Sequence, residues 1–247
     1  NGSAMGDKIS EAQTLLEEVH NDLLTATQCF AIYTQLNART ASRGDELKDY
    51  MFNHGLHNIY STLLETLLKD VVMAICRTTD HPGQHRISWE PIKKLVSNNR
   101  DLFINASIEW KKLSRGEPSD LEAEKIREST RNEITKFTRS VKSFRASDSV
   151  SSIRKLRDTA LAHRLTEKSS GVSLLQIREA INNSTELLIQ AFGIIKGTDY
   201  STDVFLDQAN QYARLFWDTV TLGFEQREKN DEKERLELIE SIRKGHQ

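Results

Sequence analysis

At 247 residues the chain is long enough to bury a full core, as one domain or two small ones. Apolar residues make up 37% and charged residues 28%, a soluble globular profile, and the net charge of −2 excludes a surface coated uniformly for nucleic acid. The only prolines are Pro82, Pro91 and Pro118, so long helices can run on either side of that central stretch. Cys29 and Cys76 stand far apart, with no C-x-x-C pair and no disulfide framework, which points to a reducing cytoplasmic location. The longest apolar run, Val71 to Cys76, is too short to cross a bilayer, and no secretory segment opens the chain, so no membrane partner is expected. Residues 1–5, beginning Asn1-Gly2-Ser3-Ala4, read as a cloning remnant, and 6–247 as one helical domain.

In chain order, Ile9, Ala12, Leu16, Val19, Leu23, Ala26, Phe30 and Tyr33 alternate spacings of three and four and predict a long amphipathic helix. After a break at Thr40 to Gly44, a second helix is expected from about Glu46 to Arg77, with Ile59, Leu63, Leu67, Val71 and Ile75 on its apolar face. Pro82-Gly83 marks the clearest loop. Ser88 reads as the N-cap of a short helix to Asn98, and another short helix covers about Arg100 to Leu113. The turn Gly116 to Asp120 launches a helix to about Arg145, with Ile126, Ile134, Phe137, Val141 and Phe144 in one row. Ser147-Asp148 caps the next helix, Ser169-Ser170-Gly171 breaks the chain, and a further helix runs from Leu174 to Lys196. Gly193 and Gly197 read as caps at its end, and Trp89, Trp110 and Trp217 as core. The last helix starts near Asp203 and turns highly charged from Glu225 to Lys244, which reads as a solvated end. No strand alternation and no internal repeat occur, so the fold class is all-α, a bundle of six to eight helices with long antiparallel members.

Arg157 and His163 are the residues that most need a chemical explanation. At 100° per residue, Arg157 falls in the middle of the apolar arc of its helix, flanked by Val150, Ile153, Ala160 and Leu161. His163 lies roughly 120° round and about 9 Å further along. A cation on a core-facing row must meet a partner or line a wet groove. In a structural role Arg157 would pair with an acid such as Glu65 or Asp70, and His163 would suit the helix end. In a functional role the two form a site. Nine basic residues lie between Arg131 and Arg164, among them Lys142, Arg145, Arg154 and Arg164, against Glu133, Asp148 and Asp158. Such a local positive stripe attracts phosphates, and those four are the expected phosphate-binding residues; an ordinary helix surface facing acids elsewhere is the alternative.

Other chemistries lack their residues. His54 with His57 and His81 with His85 have metal-like spacing but no completing ligands, so no metal site and no cofactor are expected. A phosphate-cradling Gly-x-x-x-x-Gly-Lys loop and a Gly-x-Ser-x-Gly elbow are both missing.

The segment Leu156-Arg157-Asp158-Thr159-Ala160-Leu161-Ala162-His163-Arg164 resembles the Arg-to-His signature of the HEPN superfamily. The helix from Leu56 to Leu64 and on through Ala74 to Arg77-Thr78-Thr79-Asp80, with Ile87-Ser88-Trp89 after it, is similar to the abortive-infection U-like branch. The resemblance implies a helical bundle that dimerises across the motif. It also implies metal-independent endoribonuclease activity in a toxin–antitoxin or abortive-infection system, with Arg157 and His163 catalytic, RNA as substrate and an antitoxin protein as a possible partner. Asp158 and Thr159 would support the pair. DNA, lacking a 2′-hydroxyl, would not be a substrate. Because some members lack nuclease activity, the resemblance leaves a second function open, a catalytically silent interaction domain for a partner protein or a nucleotide.

Overall fold

Eight α-helices and no strand occur among residues 2–42, 55–80, 88–162 and 172–245, the residues that this computed structural model describes. They are α1 (Gly2–Ser42), α2 (His57–Thr79), α3 (Trp89–Asn98), α4 (Arg100–Arg115), α5 (Asp120–Arg145), α6 (Asp148–Ala162), α7 (Leu174–Lys196) and α8 (Thr202–Gly245). The all-α expectation therefore holds. Local signals set several boundaries. Ser119 and Ser173 each close a capping box, with Glu122 and Gln176, and start α5 and α7. Ser88 occupies the N-cap of α3 in extended backbone, but its side chain makes no cap hydrogen bond.

The three-four row of α1 is the spine of the bundle. Ala12, Leu16, Val19, Leu23 and Ala26 are fully buried, because α2, α3, α7 and α8 all pack on this helix. Antiparallel packing of α2 on α1 brings Arg77 to Asp22, where the guanidinium donates to both carboxylate oxygens at 2.9 and 2.8 Å. Residues of α4 and α5 also pair in opposite order, Arg100 with Thr135 and Ser107 with Thr130. By contrast, α8 runs in the same sense as α1, with His20 beside Phe205 and Ile32 beside Trp217. Trp89 sits at the centre of the core, its indole N–H donating to the Ser184 hydroxyl at 2.9 Å and its ring edge-on to Phe137. A buried indole needs such a partner, and Ser184 supplies it from the middle of α7.

Three expectations are corrected. Ile59 is 60% exposed; among the described residues α2 is partly covered at Leu63 and Leu64 and buried on one face only from Leu67 onward. Gly193 lies inside α7; only Gly197 is a cap, left-handed with φ +63°. Trp110 is half-buried at the surface, whereas Trp89 and Trp217 are core. The charged part of α8 is exposed along residues 225–241 and carries Arg227–Asp231 and Lys233–Glu237 pairs at i,i+4, as a solvated face should.

At the meeting of α1, α7 and α8, His20 shares a 2.8 Å hydrogen bond with the Tyr200 hydroxyl and is ringed by Phe192, Tyr200 and Phe205. Burial, followed by the Lys196 charge, holds the His20 pKa below its ordinary value. The folded state thus favours neutral His20. Its contribution to stability is complete above the unfolded value of about 6.5 and is lost as pH falls below it, because the unfolded chain then binds more protons. Denaturant unfolding should show lower stability at about pH 5.5 than at about pH 7.5, and His20→Gln should reduce that difference. An unchanged pH dependence in the variant would show that His20 is not its source.

Candidate functional site

The site begins at the end of α2. Val71, Val72, Ala74, Ile75 and Cys76 are buried, so the helix arrives in the core with its carbonyl end leading. Thr78 and Thr79 turn their hydroxyls back to the Ile75 carbonyl at 2.9 Å. Asp80 closes the helix as its C-cap, its N–H donating to the Cys76 carbonyl at 2.8 Å. Asp80 is only 4% exposed. Two negative features are therefore buried together, the carbonyl end of a helix and a carboxylate, and both need cations.

Three arginines from α5 and α6 supply them. Arg157 donates from Nη1 to Asp80 Oδ2 at 2.5 Å. Arg154 donates to the Thr79 carbonyl and holds Nε 3.5 Å from Asp80 Oδ1. Arg145 donates from Nε to the Thr79 carbonyl at 3.0 Å and from Nη1 to Glu90 Oε2 at 2.6 Å. Lys93 reaches Glu90 Oε1 at 2.6 Å. Burial pushes the Glu90 carboxyl up, but Lys93 and Arg145 outweigh it and hold the pKa below the usual carboxylate range. Counting Arg145, Arg154, Arg157 and Lys93 against Asp80, Glu90 and Asp158, four cations meet three carboxylates.

Arg157 is held from two sides. Its Nε donates to Asp158 Oδ1 at 2.9 Å, while Nη1 is taken by Asp80. Burial works against its charge, but the Asp158 hydrogen bond and the nearby acidic groups, Asp80 among them, prevail and raise its pKa further. The side chain stays 18% exposed, and its second terminal nitrogen makes no hydrogen bond among the described residues. A guanidinium fixed at Nε and Nη1 that keeps donors on its second terminal nitrogen is suited to a phosphate oxygen.

The structural partner expected on α2 is thus Asp80; Glu65 and Asp70 both lie on the exposed side. The apolar arc of α6 is carried among the described residues by Val150, Ile153 and Leu156, and Arg157, angularly between Val150 and Ile153, is half-buried. Of the expected phosphate-binding residues, Lys142 is exposed, while Arg145 and Arg154 turn inward to the end of α2. His163 and Arg164 lie outside the described residues, as do His54, His81 and His85 and the side chains of His57 and Thr159. Asp80, Glu90 and Lys93 belong to the site but to no motif in the sequence; in the resemblance Asp80 is only the last residue of a turn. An acid directly after an apolar helix run was the available signal.

The magnitudes separate the two acids around Arg157. Asp158 is 65% exposed, and such a pair contributes about 0–1 kcal/mol. Removing the buried Asp80 strands partly desolvated guanidiniums and should cost roughly 2–4 kcal/mol. A double-mutant cycle of Asp80→Ala with Arg157→Ala should give a coupling of about 1–3 kcal/mol by denaturant unfolding. Additive effects would mean the pair contributes nothing specific.

No helix among the described residues is long and apolar enough to cross a membrane. No curated protein and no solved structure matches the chain. A family model described as AbiU2, of the HEPN class, does match, over residues 9–216. That span takes in every helix of the bundle core, the Asp80 cap and the segment from Arg157 to Arg164. The chain belongs to the AbiU2 family of HEPN domains, the abortive-infection branch.

Proposed function

We propose that the protein is a metal-independent endoribonuclease of an abortive-infection or toxin–antitoxin system, working as a dimer in the cytoplasm. The observation that carries this reading is Arg157, clamped between Asp80 and Asp158, partly exposed, and with its second terminal nitrogen making no hydrogen bond among the described residues. Family membership supports it.

RNA carries its own nucleophile. The 2′-oxygen attacks the adjacent phosphorus, the bond to the 5′-oxygen breaks, and the products end in a 2′,3′-cyclic phosphate and a 5′-hydroxyl. The step needs a base for the 2′-proton, an acid for the leaving oxygen and a cation for the charge that builds on the phosphate. Histidine titrates near neutrality and serves either proton role, which assigns them to His163. Arg157 holds the phosphate oxygens, Asp158 orients Arg157, and Thr159, one turn before His163, steadies it. One histidine cannot be base and acid in the same step, whereas a two-fold dimer supplies two. An antitoxin protein would then act by covering or modifying this paired site.

A second function has its own support. Arg157 is ion-paired, and Arg145 and Arg154 serve the helix end instead of facing outward. In a silent interaction domain that network would be purely structural, and the partner would be a protein or a nucleotide.

Purified protein should cleave mixed RNA in EDTA, leave DNA intact and yield cyclic-phosphate ends. His163→Ala should abolish cleavage without loss of stability, and Arg157→Ala should abolish it with a loss of about 1–3 kcal/mol. Magnesium dependence or cleavage of DNA would refute the mechanism; unaltered activity in His163→Ala would favour the silent domain. Light scattering at micromolar concentration should give a dimer, and a strict monomer would remove the two-histidine scheme.

A further inference from the structure

A groove of about 530 Å³ opens between the second half of α4, the first half of α5 and the end of α7, away from the Asp80–Arg157 cluster. Its walls combine an aromatic ring with cations. Trp110 lines it, together with Lys111, Arg115 and Lys125. All three cations are exposed, and none has an ion-pair partner among the described residues; the pairs formed nearby use Lys112, Arg127 and Arg131 instead.

Two glycines shape the same groove. At Gly197 a Cβ would come within 2.5 Å of the Trp110 ring, and φ is +63°, so only glycine lets the indole lie flush against this turn. Gly193 is different. It sits inside α7, where glycine costs about 1 kcal/mol against alanine, and a Cβ there would meet nothing within 4 Å. Packing does not demand glycine at 193. Its effect is to keep the groove wall open beside Trp110.

The cations do not stop at the groove. With Lys125 at zero on α5, Lys136 falls at about 20° and Arg139 at about −40°, so the three share one stripe about 21 Å long. Lys136 and Arg139 are also exposed and without an ion pair among the described residues. A second groove of about 290 Å³ continues the α5–α7 seam past Ser140 and Ser143. A small anion would need only one end of this track. A row of unpaired cations that ends at an aromatic groove suits a flexible polyanion with planar rings.

We propose that the α5–α7 seam is a binding track for single-stranded RNA, with a base inserted beside Trp110 and its flanking phosphates on Lys111, Arg115 and Lys125. The proposal deepens the ribonuclease reading and rests on it for RNA as the ligand. Glu133 and Asp199, which also line the groove, offer acceptors to base amino groups. The stripe on α5 leads from the groove toward Arg145, the residue that joins α5 to the end of α2.

The test uses the full chain and a 2′-O-methyl single-stranded oligonucleotide of about ten nucleotides, which lacks the nucleophile, so binding is read apart from cleavage. Binding should quench tryptophan fluorescence, because Trp89 and Trp217 are buried and only Trp110 is accessible. The double variant Lys111→Gln, Arg115→Gln should flatten the slope of log affinity against log salt by about 1.4, near 0.7 per cation on a single strand. Gly193→Leu, which fills the groove from a helix that accepts it, should weaken binding about tenfold to a hundredfold with the fold intact. Unchanged affinity and salt slope in these variants would overturn the track, as would equal affinity for duplex RNA. If ordinary RNA is cleaved while both variants bind and cut like the parent, the track is wrong and the nuclease stands. If the oligonucleotide binds as described but no RNA is cut, the nuclease reading fails and the track stands.

Discussion

Asp80 puts a carboxylate, 4% exposed, at the end of a helix whose last carbonyls also point into the core. Left alone, that end of α2 would open to water, since an isolated buried charge costs several kcal/mol. The chain instead brings Arg145 from the end of α5, and Arg154 and Arg157 from α6, onto one corner. Glu90 at the start of α3 then receives Arg145 and Lys93. Four helices, α2, α3, α5 and α6, are tied at this one polar corner. Hydrophobic burial holds the helices together without direction; this corner decides how α6 is rotated and which nitrogens of Arg157 are held by carboxylates.

The same corner divides the basic residues into two populations. Arg145 and Arg154 are consumed in neutralising the end of α2, which leaves little of either for a ligand. Arg157 is shared, its Nε and Nη1 held by carboxylates while its second terminal nitrogen makes no hydrogen bond among the described residues. The cations free of such duty lie on the far face of α5 and the end of α4, beside Trp110. Charge that is dense along the sequence is thus split in space between holding the fold and facing solvent. A balanced total of −2 conceals both.

A second polar inclusion, on α1 itself, shows the same economy. Lys196 lies over the Phe192 ring and pairs with Glu17 at 2.9 Å, while His20 is kept neutral among aromatic rings beside Tyr200. Here burial is partial, and a histidine suffices where the core corner needed arginines. The difference follows from solvation: a neutral imidazole can be covered at modest cost, whereas a buried carboxylate requires a permanent opposite charge.

Helix identity was legible in the chain because it is a local property. The three-four rows of α1 and α5, the Ser119 and Ser173 starts and the Gly197 stop depend on residues within one or two turns of one another, and each lies where the pattern puts it. The Arg157 position was legible too, as a cation that needed a partner. Its partner was not, since Glu65, Asp70 and Asp80 all lie on or just past one helix and only the crossing of α6 over the end of α2 selects Asp80. The seat of Trp110 and the openness at Gly193 were equally out of reach, because a groove is defined by the distance between helices that are far apart in sequence. Periodicity states which face of a helix is apolar; which helix end arrives opposite a given charge is decided only when the bundle closes.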